Sequence, residues 1–307
     1  MSTMVPTPAD IAGWPAPNYV NPETRRPLVL SVEIPLCILV IMFTFVRFYS
    51  RTVIIQALGV DDWFMLAATI ISVGTSIMTC VSTLPAYQTG YHAWDLRPEI
   101  AANPVKTAQM AMATQLLFVP ITGFTKVSIL LTYLRIFPSN TTRWFCHILL
   151  CFTAVWAAVS FFLALFQCRP VQSYWLIAQY PDRKCMNVAL LYYITGGLNI
   201  LSDFLIFLWP AKDLAKIQIS TRQKVTLIAM FSLGIIICIA GVCRIWYTSV
   251  YLASYDTLWN GSTLYAIIAI ETSIGIVCGC LPACKPLMSK MLPQIFATSH
   301  GSNHRSS

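Results

Sequence analysis

Five ionisable side chains stand inside otherwise apolar stretches of this sequence: Glu33, Lys126, Asp203, Arg244 and Glu271. If those stretches cross a bilayer, each such group costs about 2.5–3.5 kcal/mol at mid-depth. Such groups therefore face the protein interior and serve as ion pairs, ligand contacts or ion paths. A second feature is the doublet Asp61–Asp62, followed by Trp63, at the start of the apolar run LGVDDWFMLAATIIS. Adjacent carboxylates can work as acid and base, or they can close a helix start, where free N–H groups and a partial positive charge favour aspartate. The reading adopted is structural, with Asp61 and Asp62 as the helix cap and Trp63 as an interface anchor suited to the membrane boundary. It predicts that Asp61→Asn or Asp61→Ser is tolerated and that Asp61→Ala costs about 1 kcal/mol. A competing reading pairs the doublet with Arg51 or Arg135 as part of a switch.

The elements that must position these groups are long apolar helices. Of 307 residues, 57% are hydrophobic and 10% charged, against about a quarter charged in a soluble domain. A hydrocarbon core about 30 Å thick needs about 20 apolar residues per crossing. Seven stretches meet that need, near 28–46, 62–83, 108–136, 145–167, 188–210, 225–249 and 262–283. The expected fold is an all-α polytopic membrane protein, a seven-transmembrane helix bundle occupying 28–290 as one domain. Residues 1–27 hold six prolines and no apolar core, so they read as an extended exposed tail and not a signal peptide. Residues 291–307 are small and polar and are expected to form a disordered cytosolic tail.

With the amino terminus outside, eleven of the 20 Lys and Arg residues fall on inner segments, seven on outer segments, and Lys126 and Arg244 within helices. The excess inside favours that orientation. No basic cluster interleaves with aromatics, which argues against nucleic acid as a partner. At 1.5 Å per residue, Lys126 and Asp203 lie roughly 15 and 10 Å from the inner boundary, close enough in depth to pair. Asn199, one turn before Asp203, shares its face. Glu33, Arg244 and Glu271 fall in the outer half and could line an outward-facing pocket. Alternatively, Glu33 and Arg244 snorkel to water, and the Lys126–Asp203 pair is a structural bridge between helices.

Most of the 11 cysteines lie in helices as small apolar residues. Cys168 and Cys185 bound an outer loop in an oxidising compartment, where a disulfide is expected; Cys80 is a rival partner. Cys278, Cys280 and Cys284 approach the inner edge, as packing or as palmitoylation sites. Asn260 opens a sequon on the outer side and is a candidate glycosylation site. The histidines, His92, His147, His300 and His304, are not placed as paired haem ligands, and no metal spacing or Ser–His–Asp set occurs at a common depth. Neither metal nor cofactor is expected, and no enzyme activity is assigned.

The segments RFYSR, LGVDDWFMLAA, GYHAWDL, KVSILLTYLRIF, CRPVQSYW, NILSDFLIFLWP and ETSIGIVCGCLPACKPL, in this order, resemble the fungal rhodopsin-like integral membrane protein family, which includes the satratoxin-cluster protein and candidate pathogenesis-related G-protein-coupled receptors. The resemblance covers roughly 28–290 and implies a seven-helix membrane fold. A retinal Schiff base needs a buried lysine, which in rhodopsins stands on the last helix, and Ser262 to Ala283 holds none; photochemistry is set aside. The expected function is receptor-like sensing of a small ligand entering from outside among the first, sixth and seventh helices, with a cytosolic signalling partner beyond Arg135. The plasma membrane is the expected location, with membrane lipid around the bundle. The alternatives are a transporter and an accessory membrane protein of a secondary-metabolite cluster.

Overall fold

The computed structural model describes residues 7–102, 104–136, 139–214 and 221–291. The carboxyl-terminal tail with His300 and His304, and the side chains of Lys212, Arg222, Lys224, Cys284, Lys285 and Lys290, lie outside the described residues. The helices are α1 (Pro8–Ala12), α2 (Arg26–Tyr49), α3 (Val60–Ser82), α4 (Pro98–Ala102), α5 (Val105–Ile136), α6 (Asn140–Leu165), α7 (Val188–Leu214), α8 (Thr221–Ala253) and α9 (Thr257–Met291). Seven of them, α2, α3 and α5 to α9, are long and apolar enough to cross a membrane. β1 (Cys168–Arg169) pairs antiparallel with β2 (Lys184–Cys185) in the α6–α7 loop.

Alternate helix ends define two faces. The amino-terminal face gathers residues 7–25, the turn after α3, the α6–α7 loop and the α8–α9 turn. There the Arg25 N–H donates to Gly90 O and the Gly90 N–H to Leu258 O, both at 2.9 Å. Residues 7–25 are mostly exposed but attached: the Asn18 N–H donates to Asp95 at 2.8 Å, and Trp14 stacks on Tyr255. The carboxyl-terminal face carries the α2–α3 turn and the end of α5.

The bundle turns large apolar side chains to its outer surface and buries small hydroxyl residues, charges and apolar residues together, as expected where polar groups must face the protein interior and not lipid. On α3 the buried positions Thr69, Ser72, Ser76, Thr79 and Ser82 recur every three or four residues, while Trp63, Ile70 and Ile77 are exposed. Small hydroxyl residues let helices approach and bond across the seam; Thr44 and Thr69 meet at 2.8 Å between α2 and α3. α5 and α9 are the most enclosed spans. Around them one apolar cluster joins Ile129, Leu130, Leu149, Ile206 and Ile237, and another joins Val40, Met65, Ile121 and Ile276. Pro35 and Pro120 stand inside α2 and α5, as neighbouring helices in membranes permit. After α2 the chain widens into a π turn, Ser50–Ile54, with the Ile55 N–H donating to Ser50 O at 2.9 Å, a feature frequent at functional sites. Here it carries Arg51.

Candidate functional site

At mid-bundle, Lys126 on α5 reaches α7. Its Nζ lies 3.1 Å from Asp203 Oδ1 and donates to Asn199 Oδ1 (2.8 Å), Asn199 O (2.9 Å) and Ser202 Oγ (2.6 Å). Asn199 Nδ2 then donates to Asp203 Oδ2 (3.3 Å) and to Glu271 Oε1 on α9 (3.0 Å). Glu271 accepts in turn from Arg244 Nε on α8 at 2.6 Å. The inner pair and two of the three outer charges expected from sequence thus form one buried chain across four helices. The joint is Asn199, whose amide has both an acceptor for Lys126 and donors for the two carboxylates. Two cations and two anions balance. Arg244 does not snorkel, since its side chain is 8% exposed and committed to Glu271. Glu33 stands apart: 3% exposed, it accepts from Ser76 Oγ at 2.7 Å in the α2–α3 seam.

Above this chain, in the amino-terminal half, lies a cavity of about 260 Å³, just below the usual range of small-molecule sites. α5, α6, α7, α8 and α9 enclose it, with Tyr192, Tyr251 and Tyr265 on its walls and Phe118, Gly196, Arg244 and Ile268 at its deep end. No residue of α2 lines it. The cavity therefore lies among the third to seventh spans, and not among the first, sixth and seventh, where entry of a ligand is expected from sequence. The reason is that α2 packs on α3 and α9, and its Glu33 is turned to Ser76. Trp156 touches cavity and ionic chain alike: it lines the former, and its ring lies 5.3 Å from Lys126 Nζ.

Cys168 and Cys185 form a disulfide across β1 and β2, and Cys80 is free. The loop they close brings Tyr174, Trp175 and Ile177 onto the cavity. Cys168→Ser is expected to cost about 3 kcal/mol, the chain-entropy value for a loop of this size, and to lower surface expression. Alkylation and mass spectrometry of the unreduced protein should find neither thiol free. Cys278 and Cys280 are fully buried, so their thiols pack inside the bundle. Asn260 sits in the first turn of α9, its amide donating to Asp256 O at 3.2 Å and accepting from the Tyr247 hydroxyl at 3.2 Å.

At the mouth, His92, weighed from sequence only as a haem ligand, bonds through Nδ1 to Asp256 Oδ2 at 2.6 Å. Its ring is stacked between Trp94 (4.2 Å) and Trp259 (3.6 Å). Burial raises the Asp256 carboxyl above its ordinary range, against the opposing bonds from His92 and the Ala93 N–H. Arg25 covers the other face of this stack, 4.3 Å from the Trp259 ring centroid, and donates to Thr263 at 2.7 Å. Sequence reasoning missed this group, although His92 and Trp94 lie in the quoted GYHAWDL.

On the opposite face, the aspartate doublet is enclosed by arginines. Gly59 occupies the N-cap of α3, and Asp62 closes it by accepting from the Gly59 N–H at 3.0 Å. Asp61 does not cap. Its carboxylate accepts from Arg47 (2.7 Å), Thr132 (3.2 Å) and Arg51 (3.3 Å), and meets Arg135 at 3.1 Å. Asp62 also takes Arg47 Nε at 2.8 Å, and Arg47 Nη1 donates to Gly279 O on α9 at 2.7 Å. The paired reading therefore describes Asp61, while the cap belongs to Gly59 and Asp62. Arg47, fully buried, was counted from sequence only as a flanking charge; its spacing of four from Arg51 was the available signal. Trp63 is exposed and sets its ring edge against Phe48. A β-carbon on Gly59 would collide with Arg135 Nη2 and Asp61 Oδ1. Gly59→Ala is expected to push the half-exposed Arg135 off Asp61 and to cost about 1 kcal/mol or less, the worth of an ion pair with an exposed partner, readable as a slightly lower thermal midpoint in detergent.

These features define a seven-helix integral membrane protein with a cavity on one face, an arginine–aspartate cluster on the other and a separate chain of buried charges between them. The chain belongs to the fungal rhodopsin domain family, whose model matches residues 46–290. It is 31% identical over 179 residues to a SAT4 family membrane protein of Emericella nidulans, covering 57% of this chain and 44% of that one. It is 24% identical over 285 residues to receptor GIN3 of Arthrobotrys oligospora (90% and 67% covered). With satratoxin biosynthesis SC1 cluster protein 4 of Stachybotrys chartarum it shares 25% over 172 residues (55% and 60% covered). The match thus spans less than two thirds of the first and third of these relatives. No solved structure matches the chain at a significant level.

Proposed function

We propose that this chain is a receptor-like sensor of a small molecule, set in the plasma membrane with its amino-terminal face outside and its arginine–aspartate cluster toward a cytosolic signalling partner. The observation that carries the reading is the double membership of Arg244, which lines the deep end of the cavity and is also the first link of the buried ionic chain. A ligand that favours one arrangement of Arg244 shifts the balance of the whole chain, and it needs no more than differential affinity for two states. α5 and α9 continue from that chain to the opposite face. Lys126 is followed on α5 by Thr132 and Arg135, and Glu271 on α9 by Gly279, whose carbonyl holds Arg47. The receptor name carried by one relative supports this reading.

Two measurements test it. In a cysteine-accessibility scan, Glu99→Cys should label on intact cells and Thr52→Cys only after permeabilisation; the opposite pattern reverses the orientation. Once a thermal-shift screen of small apolar compounds yields a ligand, hydrogen exchange of residues 128–136 should change on binding. A ligand that fills the cavity and leaves that segment unchanged ends the sensing reading. Relatives named for biosynthetic clusters favour a second reading, an accessory or carrier protein of a secondary-metabolite pathway. Flux of the same ligand across reconstituted vesicles would select it.

A further inference from the structure

Resting on the sensing reading above, we infer that the cavity takes a neutral, largely apolar molecule that ends in a carbonyl-type acceptor placed on Arg244. The guanidinium is only partly used: Nε and Nη2 go to Glu271 at 2.6 and 3.4 Å, and among the described residues Nη1 has no acceptor. That nitrogen faces the cavity at Gly196, where an added β-carbon would lie 3.7 Å from it. Phe118 closes the other side, its ring centroid 4.6 Å from Arg244 Cζ. The deep end therefore offers uncommitted N–H donors in an aromatic and aliphatic setting.

Charge decides which acceptor fits. Lys126, Arg244, Asp203 and Glu271 are at most 8% exposed and sum to zero. A carboxylate ligand would leave this buried region with an uncompensated negative charge beside Glu271, and an amine would meet Arg244 head on; both are penalised where permittivity is low. A ketone, ester or lactone oxygen satisfies Nη1 and leaves the balance intact. The other charged wall residue, Asp256, is taken by His92 and by the Ala93 N–H, so it offers no free carboxylate for a cationic group.

The test uses the full chain in lipid nanodiscs and three probes with one skeleton: benzylacetone (ketone), hydrocinnamate (carboxylate) and butylbenzene (hydrocarbon). Binding is read by tryptophan fluorescence. Ala111→Trp, which fills the cavity wall, serves as the baseline that subtracts partition into lipid. Benzylacetone is expected to bind about tenfold more tightly than either analogue, the worth of one hydrogen bond to a charged donor, and Arg244→Lys should shrink that preference. Butylbenzene binding as tightly as benzylacetone, or hydrocinnamate binding more tightly, overturns the ligand class while the cavity reading stands. Wild-type binding indistinguishable from Ala111→Trp for all three probes overturns the cavity reading itself, and this inference with it.

Discussion

Asp61→Asn is expected to cost about 3–5 kcal/mol, the usual penalty for removing one partner of a buried ion pair, and not to be tolerated as a cap substitution would be. The cluster holds Arg47, Arg51 and Arg135 against Asp61 and Asp62. Loss of one carboxylate leaves three guanidinium groups around a single acid, and Arg51 Nε already lacks a hydrogen-bond acceptor. An amide at position 61 still accepts one bond but supplies no charge. The double variant Arg47→Met/Asp61→Leu removes one charge of each sign, restores the original balance and should recover most of the loss. Thermal unfolding in detergent followed by circular dichroism compares the three proteins. An Asp61→Asn protein as stable as wild type would return Asp61 to the role of a helix-start residue.

Lys126→Met should be as damaging, for the same reason deeper in the bundle. The substitution leaves Asp203 and Glu271 with Arg244 alone and frees Asn199 Oδ1 and Ser202 Oγ of their donor, at a cost of about 3–5 kcal/mol. Lys126→Met/Asp203→Leu is neutral again in charge and should fold nearly as stably as wild type. Yet the double variant lacks the link between Asn199 and α5, so a ligand should still bind while exchange at residues 128–136 no longer responds. Stability and response measured together separate a structural bridge from a transmitting one. A stable double variant with full response would make the pair structural only.

The sequence by itself determined the seven crossings, because the length of an apolar run and the thickness of hydrocarbon are local quantities that need no tertiary knowledge. It also determined which charges must find partners, since the cost of burying an ion is paid wherever it points. Lys126 and Asp203 were legible as a pair from depth, and Cys168 and Cys185 from their place on one outer loop. Depth, however, is one coordinate of three. Glu33 and Arg244 both fall in the outer half, yet Glu33 faces Ser76 on α3 while Arg244 faces Glu271 and the cavity. Only rotation about the helix axis and the order of helices around the bundle distinguish them. Asp61 shows the same limit: two carboxylates at a helix start look alike in sequence, but only Asp62 turns back to the Gly59 N–H, and Asp61 turns inward to Arg47. The cavity is wholly a product of tertiary structure, because it is the space left between five helices and a disulfide-closed loop, and no residue in any of them specifies that space alone.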